Sequence, residues 1–366
     1  MRVAIVHPWF LASGGAELTV DVLAEVFPEA DFFTLFVDKN HIPPRVRGRN
    51  IISLGLDWLP AKYTIYRYLL PFYPLAFESF DLRGYDLVIS SDSCVAKGVL
   101  TDQGTVHICY CYSPMRCLYD QYRDFCDGFY LIGRIAFAMT AHYVRIWDYI
   151  AAQRVTSLVA DSHHIADRIR KYYRRDSKVI YPPVNIEKAY IDDMVGDYYL
   201  SVGRLTEPKK VDLLIEACNQ LGRRLIVVGS GREMSRLKKL AGKTIEFVGR
   251  VSDSERSRLY AQCRALLFPP YEDFGIVPVE AQAHGRPVIA YGLGGSRETV
   301  IDSVTGLYFQ EQTVASIVDA ILRFESVEET FIPERIQRHA KNFDTEVFKV
   351  AMRKLAQDLI VDKSIR

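Results

Sequence analysis

Short apolar runs alternate with segments in which apolar residues recur every three or four positions, and the alternation continues along almost the whole chain. Runs rich in Val, Ile, Leu and Phe, bounded by Gly, Pro or Asp, predict buried strands, and the segments between them predict amphipathic helices. Together they predict βαβ units on mostly parallel sheets. In the first half the strands fall at VAIVH, FFTLFV, DLVIS, TVHICY and SLVAD, with helices starting near residues 16, 119, 130 and 162. The pattern then restarts with strands at YYLSVGR, RRLIVVG, TIEFVGR, ALLFPP and RPVIAYG, and helices near 209–221, 232–241, 253–263 and 276–284. Between the halves lies VIYPPVNIEKAYIDDMVGD, whose paired prolines disfavour regular structure. The predicted domains are therefore 1–184 and 185–344. A closing helix over 345–366 carries Val347, Val350, Ala351, Leu355 and Leu359 at helical spacing and is expected to pack back on the first domain. The fold class is α/β: two Rossmann-like, doubly wound parallel-sheet domains facing a cleft, with ligands expected at the carboxyl ends of the strands.

Composition narrows the function classes. At 49% hydrophobic and 25% charged residues the chain is globular. Its 46 Lys+Arg against 45 Asp+Glu leave no global basic field, so no nucleic-acid partner is expected. Locally, Lys39, Arg45, Arg47, Arg49, Lys62 and Arg67 face only Asp57 between residues 39 and 67, a strip suited to an anionic surface. The seven cysteines lack CxxC spacing, which argues against zinc and for a reducing compartment. Met1 leads directly into a strand with no charged-then-apolar leader, so a cytoplasmic protein is expected. YLIGRIAFAMTAHYV, interrupted by Arg134 and His142, is expected to be a buried helix rather than a span. AKYTIYRYLLPFYPLAF (61–77) is either aromatic core or a contact with a membrane surface or polyprenyl diphosphate, through Tyr66, Arg67, Tyr68 and Phe72.

Candidate chemistry gathers at strand ends. Gly14 and Gly15 follow VAIVH and open a helix, where backbone N–H groups can approach an anion. The third Gly of a dinucleotide fingerprint is absent, which disfavours NAD. Arg204 and Lys209 end the strand in SVGRLTEPKKVD, a guanidinium fork and a point charge that together suit a diphosphate. Gly229 repeats the close approach at the next strand. In YEDFGIVPVEAQAHGRPVIA, Glu272 lies in a loop and Glu280 a turn into the following helix, so each is expected to accept hydrogen bonds from different hydroxyls of a sugar or ribose. The N–H groups of Phe274, Gly275 and Ile276 would face a phosphate or sugar oxygen. His107 is expected in the core, His163 and His164 as caps of a helix, and His284 at a helix end where a cation is favoured; none is expected to be catalytic.

These motifs together resemble the retaining glycosyltransferases of family 4, which have the GT-B fold. EDFGIVPVE matches the family's E-x7-E element, and VGRLTEPKKVD, VGSG, FVGRVSD, HGRPVIAYGLGGSRETV and TGLYF follow in its order across 199–309. GGAE, YSPMRCLYD, RIWD and VIYPPV extend the resemblance to the first domain. It implies catalytic roles for Arg204 and Lys209 on the donor diphosphate and for Glu272 on the transferred sugar. Glu280 would bind the ribose, Val251 would lie by the base, and Gly14 and Gly15 would approach the donor from the facing domain. No metal or other cofactor is implied. YSPMRCLYD resembles the HTPMRY-type element of bacterial GDP-mannose-dependent mannosyltransferases that build lipid-linked polysaccharide such as O-antigen. Tyr112 stands where His is common there and Cys117 where Tyr is common, and with Arg116 it marks the acceptor side. The implied donor is GDP-mannose and the implied acceptor a polyprenyl-diphosphate-linked glycan, reached by a protein peripheral to the cytoplasmic face of the inner membrane. A UDP- or dTDP-sugar donor, an epimerase or phosphorylase on the same architecture, and a non-catalytic sugar-nucleotide-binding subunit stay open.

Overall fold

The structure is a computed structural model that describes residues 1–12, 14–55 and 66–364, with the side chains of 66–68 and 364 also outside the description. Two compact units divide it, one formed by Met1–Pro183 with Phe348–Arg366 and one by Val184–Val347.

The first unit holds β1 (Val3–Val6), β2 (Trp9–Phe10), α1 (Gly15–Val26), β3 (Asp31–Thr34), β4 (Phe36–Val37), β5 (Ile51–Ser53) and α2 (Tyr73–Glu78). It continues with β6 (Leu87–Asp92), β7 (Val106–Cys111), α3 (Tyr122–Asp127), α4 (Leu131–Arg154), β8 (Ser157–Ala160), α5 (His163–Tyr173) and β9 (Lys178–Val179). All pairings in its main sheet are parallel, in the order β5-β3-β1-β6-β7-β8-β9. Successive strands step from β1 to β3 and β5 on one side, then restart at β6 on the other, so the strand order reverses between β1 and β6. Val3–Val6 is buried at every position because helices cover both faces of a doubly wound sheet.

The second unit repeats the plan. It runs β10 (Tyr198–Val202), α6 (Val211–Leu221), β11 (Arg224–Val228), α7 (Met234–Leu240), β12 (Ile245–Gly249), α8 (Asp253–Gln262), β13 (Leu266–Phe268), α9 (Ile276–Ala283), β14 (Val288–Tyr291), α10 (Ser296–Thr299), β15 (Gly306–Phe309), α11 (Val314–Val327) and α12 (Pro333–Ala340). Its parallel sheet has the order β12-β11-β10-β13-β14-β15 and reverses between β10 and β13. The local signals are physical: Ser162, Ser252 and Thr313 cap α5, α8 and α11 through their hydroxyls, and Gly222 ends α6 in the left-handed region. A last helix, α13 (Thr345–Ser364), carries the chain back and sinks Phe348, Met352, Leu355 and Ala356 into the first unit's core, where Phe348 packs edge-on against Tyr110.

Several expectations are corrected. FFTLFV is two strands: Leu35 donates its N–H to the Pro8 carbonyl, and Phe36–Val37 leaves the main sheet to pair with Trp9–Phe10. The helix expected from 119 starts at Tyr122, after a 3₁₀ turn at Arg116–Leu118. Ser162 caps α5, and His163 and His164 lie inside its first turn. The stretch expected to be a buried helix is the first half of α4, and it leaves Ile132 84% and Met139 71% exposed. The face of α4 that is buried consists of Ala141, Val144, Trp147, Asp148, Ala151 and Ala152. Asp148 belongs there because Lys97, itself fully buried, lies 2.5 Å from it and 2.9 Å from Asp92. The basic strip is partly neutralised, since Arg45 pairs with Asp21 and Glu25. Of the aromatic segment, residues 61–65 and the side chains of Tyr66, Arg67 and Tyr68 lie outside the described residues. Beyond them Tyr73 and Phe77 are core, whereas Phe72 and Leu75 are exposed. Among the described residues no helix is long and apolar enough to cross a membrane.

Candidate functional site

In the second unit the candidate residues lie on loops at the carboxyl ends of parallel strands. Arg204 and Lys209 follow β10, and Glu272 follows β13, the two strands that flank the reversal of strand order. Neighbouring connections leave such a point in opposite directions and open a crevice there, the usual ligand position on an open α/β sheet. A small cavity lies here, lined by Gly203, Arg204, Lys209, Phe268, Pro269 and Pro270. Lys209 ends the 3₁₀ turn Glu207–Lys209, and its Nζ donates to Glu272 Oε1. Burial, then the neighbouring charge of Arg204, pull Lys209 down to about 8, and contact with the Glu272 carboxylate works against that shift.

Backbone packing fixes these loops. At Gly229, φ is +131° and an added Cβ would come within 1.8 Å of the Gly203 carbonyl oxygen, so the turns after β10 and β11 touch in a way that only glycine permits. Gly229 donates its N–H to Gly249, and Arg250 donates to Ser230 Oγ at 2.9 Å, tying in the turn before Val251. Val251 is half-buried against the cluster of Val228 and Leu259. Gly295 donates its N–H to the Glu272 carbonyl at 2.8 Å, and a Cβ there would lie 2.3 Å from Phe274 Cα. The loop bearing Glu272 is therefore clamped by the loop after β14. Phe274 is buried edge-on against Phe343, Gly275 is the N-cap of α9, and Ile276 is its first residue.

Glu280 occupies a second hollow, lined by Asn185, Lys188, Arg256, Tyr260 and His284. The Tyr260 hydroxyl donates to Glu280 Oε2 at 2.8 Å. Burial pushes the Glu280 carboxyl up, and nearby Arg256 and the Tyr260 hydrogen bond hold it down. The two glutamates thus sit in different surroundings. His284, expected to be favoured as a cation, is instead lowered by burial, stacks on Tyr260 and lies 2.8 Å from the Glu280 carbonyl. Spacing alone did not single out Tyr260 or Arg256. Their place on α8, a helix ahead of the E-x7-E element, was the available signal.

In the first unit Gly14 is the N-cap of α1 and has no side chain with which to cap it, and Gly15 is its first residue. Behind them runs a buried chain that no local motif announces. His7 Nδ1 lies 3.1 Å from Ser91 Oγ, Ser91 lies 2.9 Å from the Tyr112 hydroxyl, and Tyr112 donates to the Ala16 carbonyl at 3.2 Å. These three contacts need three protons, and His7 donating from Nδ1 sets their order. Tyr112 therefore braces the first turn of α1. Arg116 lies half-buried in its 3₁₀ turn.

Two doubly wound parallel sheets in one chain, each with the same reversal of strand order, are the architecture of GT-B glycosyltransferases. Over 99% of this chain and 99% of the other, sucrose-phosphate synthase from Thermosynechococcus elongatus superposes with a TM-score of 0.74 at 19% identity. Anabaena HepE in complex with UDP does so with a TM-score of 0.70 at 18% identity, over 98% of this chain and 100% of that one. Residues 190–343 match the family described as Glycosyl transferases group 1. An uncharacterized glycosyltransferase of Methanocaldococcus jannaschii is 30% identical over 98% of this chain and 99% of its own length. The alpha-1,3/1,6-mannosyltransferase ALG2 of Candida glabrata is 25% identical over 82% of this chain and 78% of its own. The chain belongs to the group 1 glycosyltransferases.

Proposed function

We propose that this glycosyltransferase moves mannose from GDP-mannose, with retention, onto a lipid-linked oligosaccharide in bacterial polysaccharide synthesis. The observation that most supports donor chemistry at this edge is the contact of Lys209 with Glu272 beside Arg204, where strand order reverses. Arg204 and Lys209 neutralise the departing diphosphate without a metal, and Glu272 accepts hydrogen bonds from hydroxyls of the transferred sugar. Glu280, oriented by Tyr260, takes the ribose, while Gly229 and Val251 border the nucleotide. The N–H groups of Phe274, Gly275 and Ile276 meet a phosphate or sugar oxygen at the start of α9, and Gly14 and Gly15 offer the same at α1. The sugar C1–O bond to the diphosphate breaks as the acceptor oxygen bonds C1 on the same face, and the acceptor proton passes to the leaving phosphate oxygen.

Mannose is favoured by the ALG2 relatives and by YSPMRCLYD. A UDP-sugar is the second reading, since Anabaena HepE, which shares the fold, is found in complex with UDP and with UDP-glucose. The acceptor lipid is assigned to the aromatic segment around exposed Phe72 and Leu75, at the cytoplasmic face of the membrane. Titration calorimetry against GDP-mannose, UDP-glucose, UDP-N-acetylglucosamine and a dTDP-sugar tests the donor, with Glu280→Ala as control. Selective binding of GDP-mannose, weakened in the variant, is expected; selective binding of a UDP- or dTDP-sugar overturns the mannose assignment.

A further inference from the structure

The exposed side of α4 is patterned. Ile132, Ala136, Met139, Tyr143, Ile146 and Ile150 are all exposed and follow one another at spacings of four, three, four, three and four, so they form one stripe along the helix. A stripe of this spacing is the seam that one helix presents to another. It carries no charged residue over nineteen positions, about 28 Å of helix. Leu131, Ile135 and Tyr149, also exposed, widen it on one side, where exposed His142 lies between Ile135 and Tyr149. Monomers rarely leave a contiguous apolar patch of more than a few hundred Å² in water, and a stable dimer needs about 800 Å² from each partner. Nine side chains that average roughly 100 Å² each in water come to about 900 Å² and reach that range.

The stripe is also symmetric. Its spacings read the same in both directions about residue 141, so an antiparallel copy sets Ile132 on Ile150, Ala136 on Ile146 and Met139 on Tyr143. A two-fold interface requires a patch that complements itself in this way. The charges nearby suit a neutral partner better than an anionic bilayer. Arg134 pairs with Asp127 at 3.2 Å and Arg154 with Glu78 at 3.0 Å, while half-buried Arg145 donates to the Leu118 carbonyl at 2.7 Å. A peripheral lipid contact would combine the apolar face with unmatched Lys or Arg.

We infer that the exposed stripe of α4 is a homodimer interface, in which a second copy of this chain packs its own α4 antiparallel across the first. Sedimentation velocity on the full chain at micromolar concentration reads the assembly. A dimer is expected, with Met139→Glu and Ile146→Glu each raising its dissociation constant by about a hundredfold or more, because each dimer would bury two unpaired carboxylates. Both positions are exposed within one copy, so unchanged thermal unfolding of the dilute variants separates lost pairing from lost folding. Disulfide trapping fixes direction: Ile132→Cys mixed with Ile150→Cys should cross-link above the parent chain's background, and Ile132→Cys alone should not. A monomeric parent, or a dimer indifferent to both glutamates, overturns the inference. So does a monomer that sediments with vesicles of anionic phospholipid and loses that binding in the variants, which would make the stripe a lipid contact.

Discussion

The two units share one strand order, and each reverses it beside its first strand, yet they furnish that point differently. Between β10 and β13 the second unit places Arg204, Lys209 and Glu272, with Lys209 and Glu272 each about a quarter exposed. Between β1 and β6 the first unit buries its polar groups and joins them to each other, His7 to Ser91 to Tyr112, leaving the glycine-led start of α1 in front. The same topology thus yields one edge lined with side-chain charge and one that presents backbone. A charge can be removed with little loss of fold, whereas a backbone frame cannot.

The largest effect should come from the charged edge. Lys209→Ala and Glu272→Gln are each expected to lower kcat by about 10²–10³ in a donor-saturated transfer assay, as for loss of one preorganised group at a developing charge. Because the pair is partly exposed, each should shift folding stability by no more than about 1 kcal/mol in urea titrations. If both variants turn over normally, the charged edge is not the donor site. Gly229→Ala tests the frame that carries it. A Cβ there meets the Gly203 carbonyl at φ +131°, so a stability loss of about 3 kcal/mol or more is expected. Gly14→Ala has an extended φ and, among the described residues, meets the flexible Glu17 carboxylate, so its loss should be about 1 kcal/mol or less. Equal losses at the two glycines would erase the contrast.

A pH experiment sharpens it further. Lys209, lowered to about 8 by burial and Arg204, loses its proton in the folded donor-free chain well before a free lysine would. Donor affinity should therefore fall as pH rises through about 8, and Lys209→Arg should flatten that profile. Stability moves the other way. Between the folded and unfolded pKa values the unfolded chain binds more protons, so this group's unfavourable contribution, fully present below about 8, is relieved as pH rises toward 10.5. A profile that rises above pH 8, or one unchanged in the arginine variant, would remove Lys209 from donor binding.

Much of this contrast is legible in the amino-acid sequence, and the part that is not has a common cause. Strands such as RRLIVVG and RPVIAYG announce themselves because both faces are buried and glycine or proline ends them. Arg204, Lys209 and Glu272 can be found because each lies just past such a strand. The chain from His7 to Ser91 joins residues 84 apart in sequence, and no local spacing reports it. The exposure of α4 misleads for a subtler reason. Its large apolar residues face water, while the face that packs is made of alanines, a valine, a tryptophan and Asp148, whose burial depends on Lys97 from a distant turn. Hydrophobicity points to the bulkier face, whereas packing against a neighbouring element selects the smaller one.

The smallest effect is expected at Tyr112, and it decides whether the buried chain is structure or site. Tyr112→Phe keeps the ring and its edge-on contact with Tyr110 but removes the hydroxyl between Ser91 and the Ala16 carbonyl. The cost should be about 1 kcal/mol of stability, the usual size for a hydrogen bond lost with its shape preserved. If the hydroxyl serves only to brace the helix start, donor and acceptor KM should change by less than about threefold, which corresponds to under 1 kcal/mol. Ser91→Ala, which breaks the same chain one step earlier, should match it. A tenfold rise in either KM with stability intact would place the Tyr112 hydroxyl on a ligand, and the first unit's edge would then use side-chain chemistry as the second does.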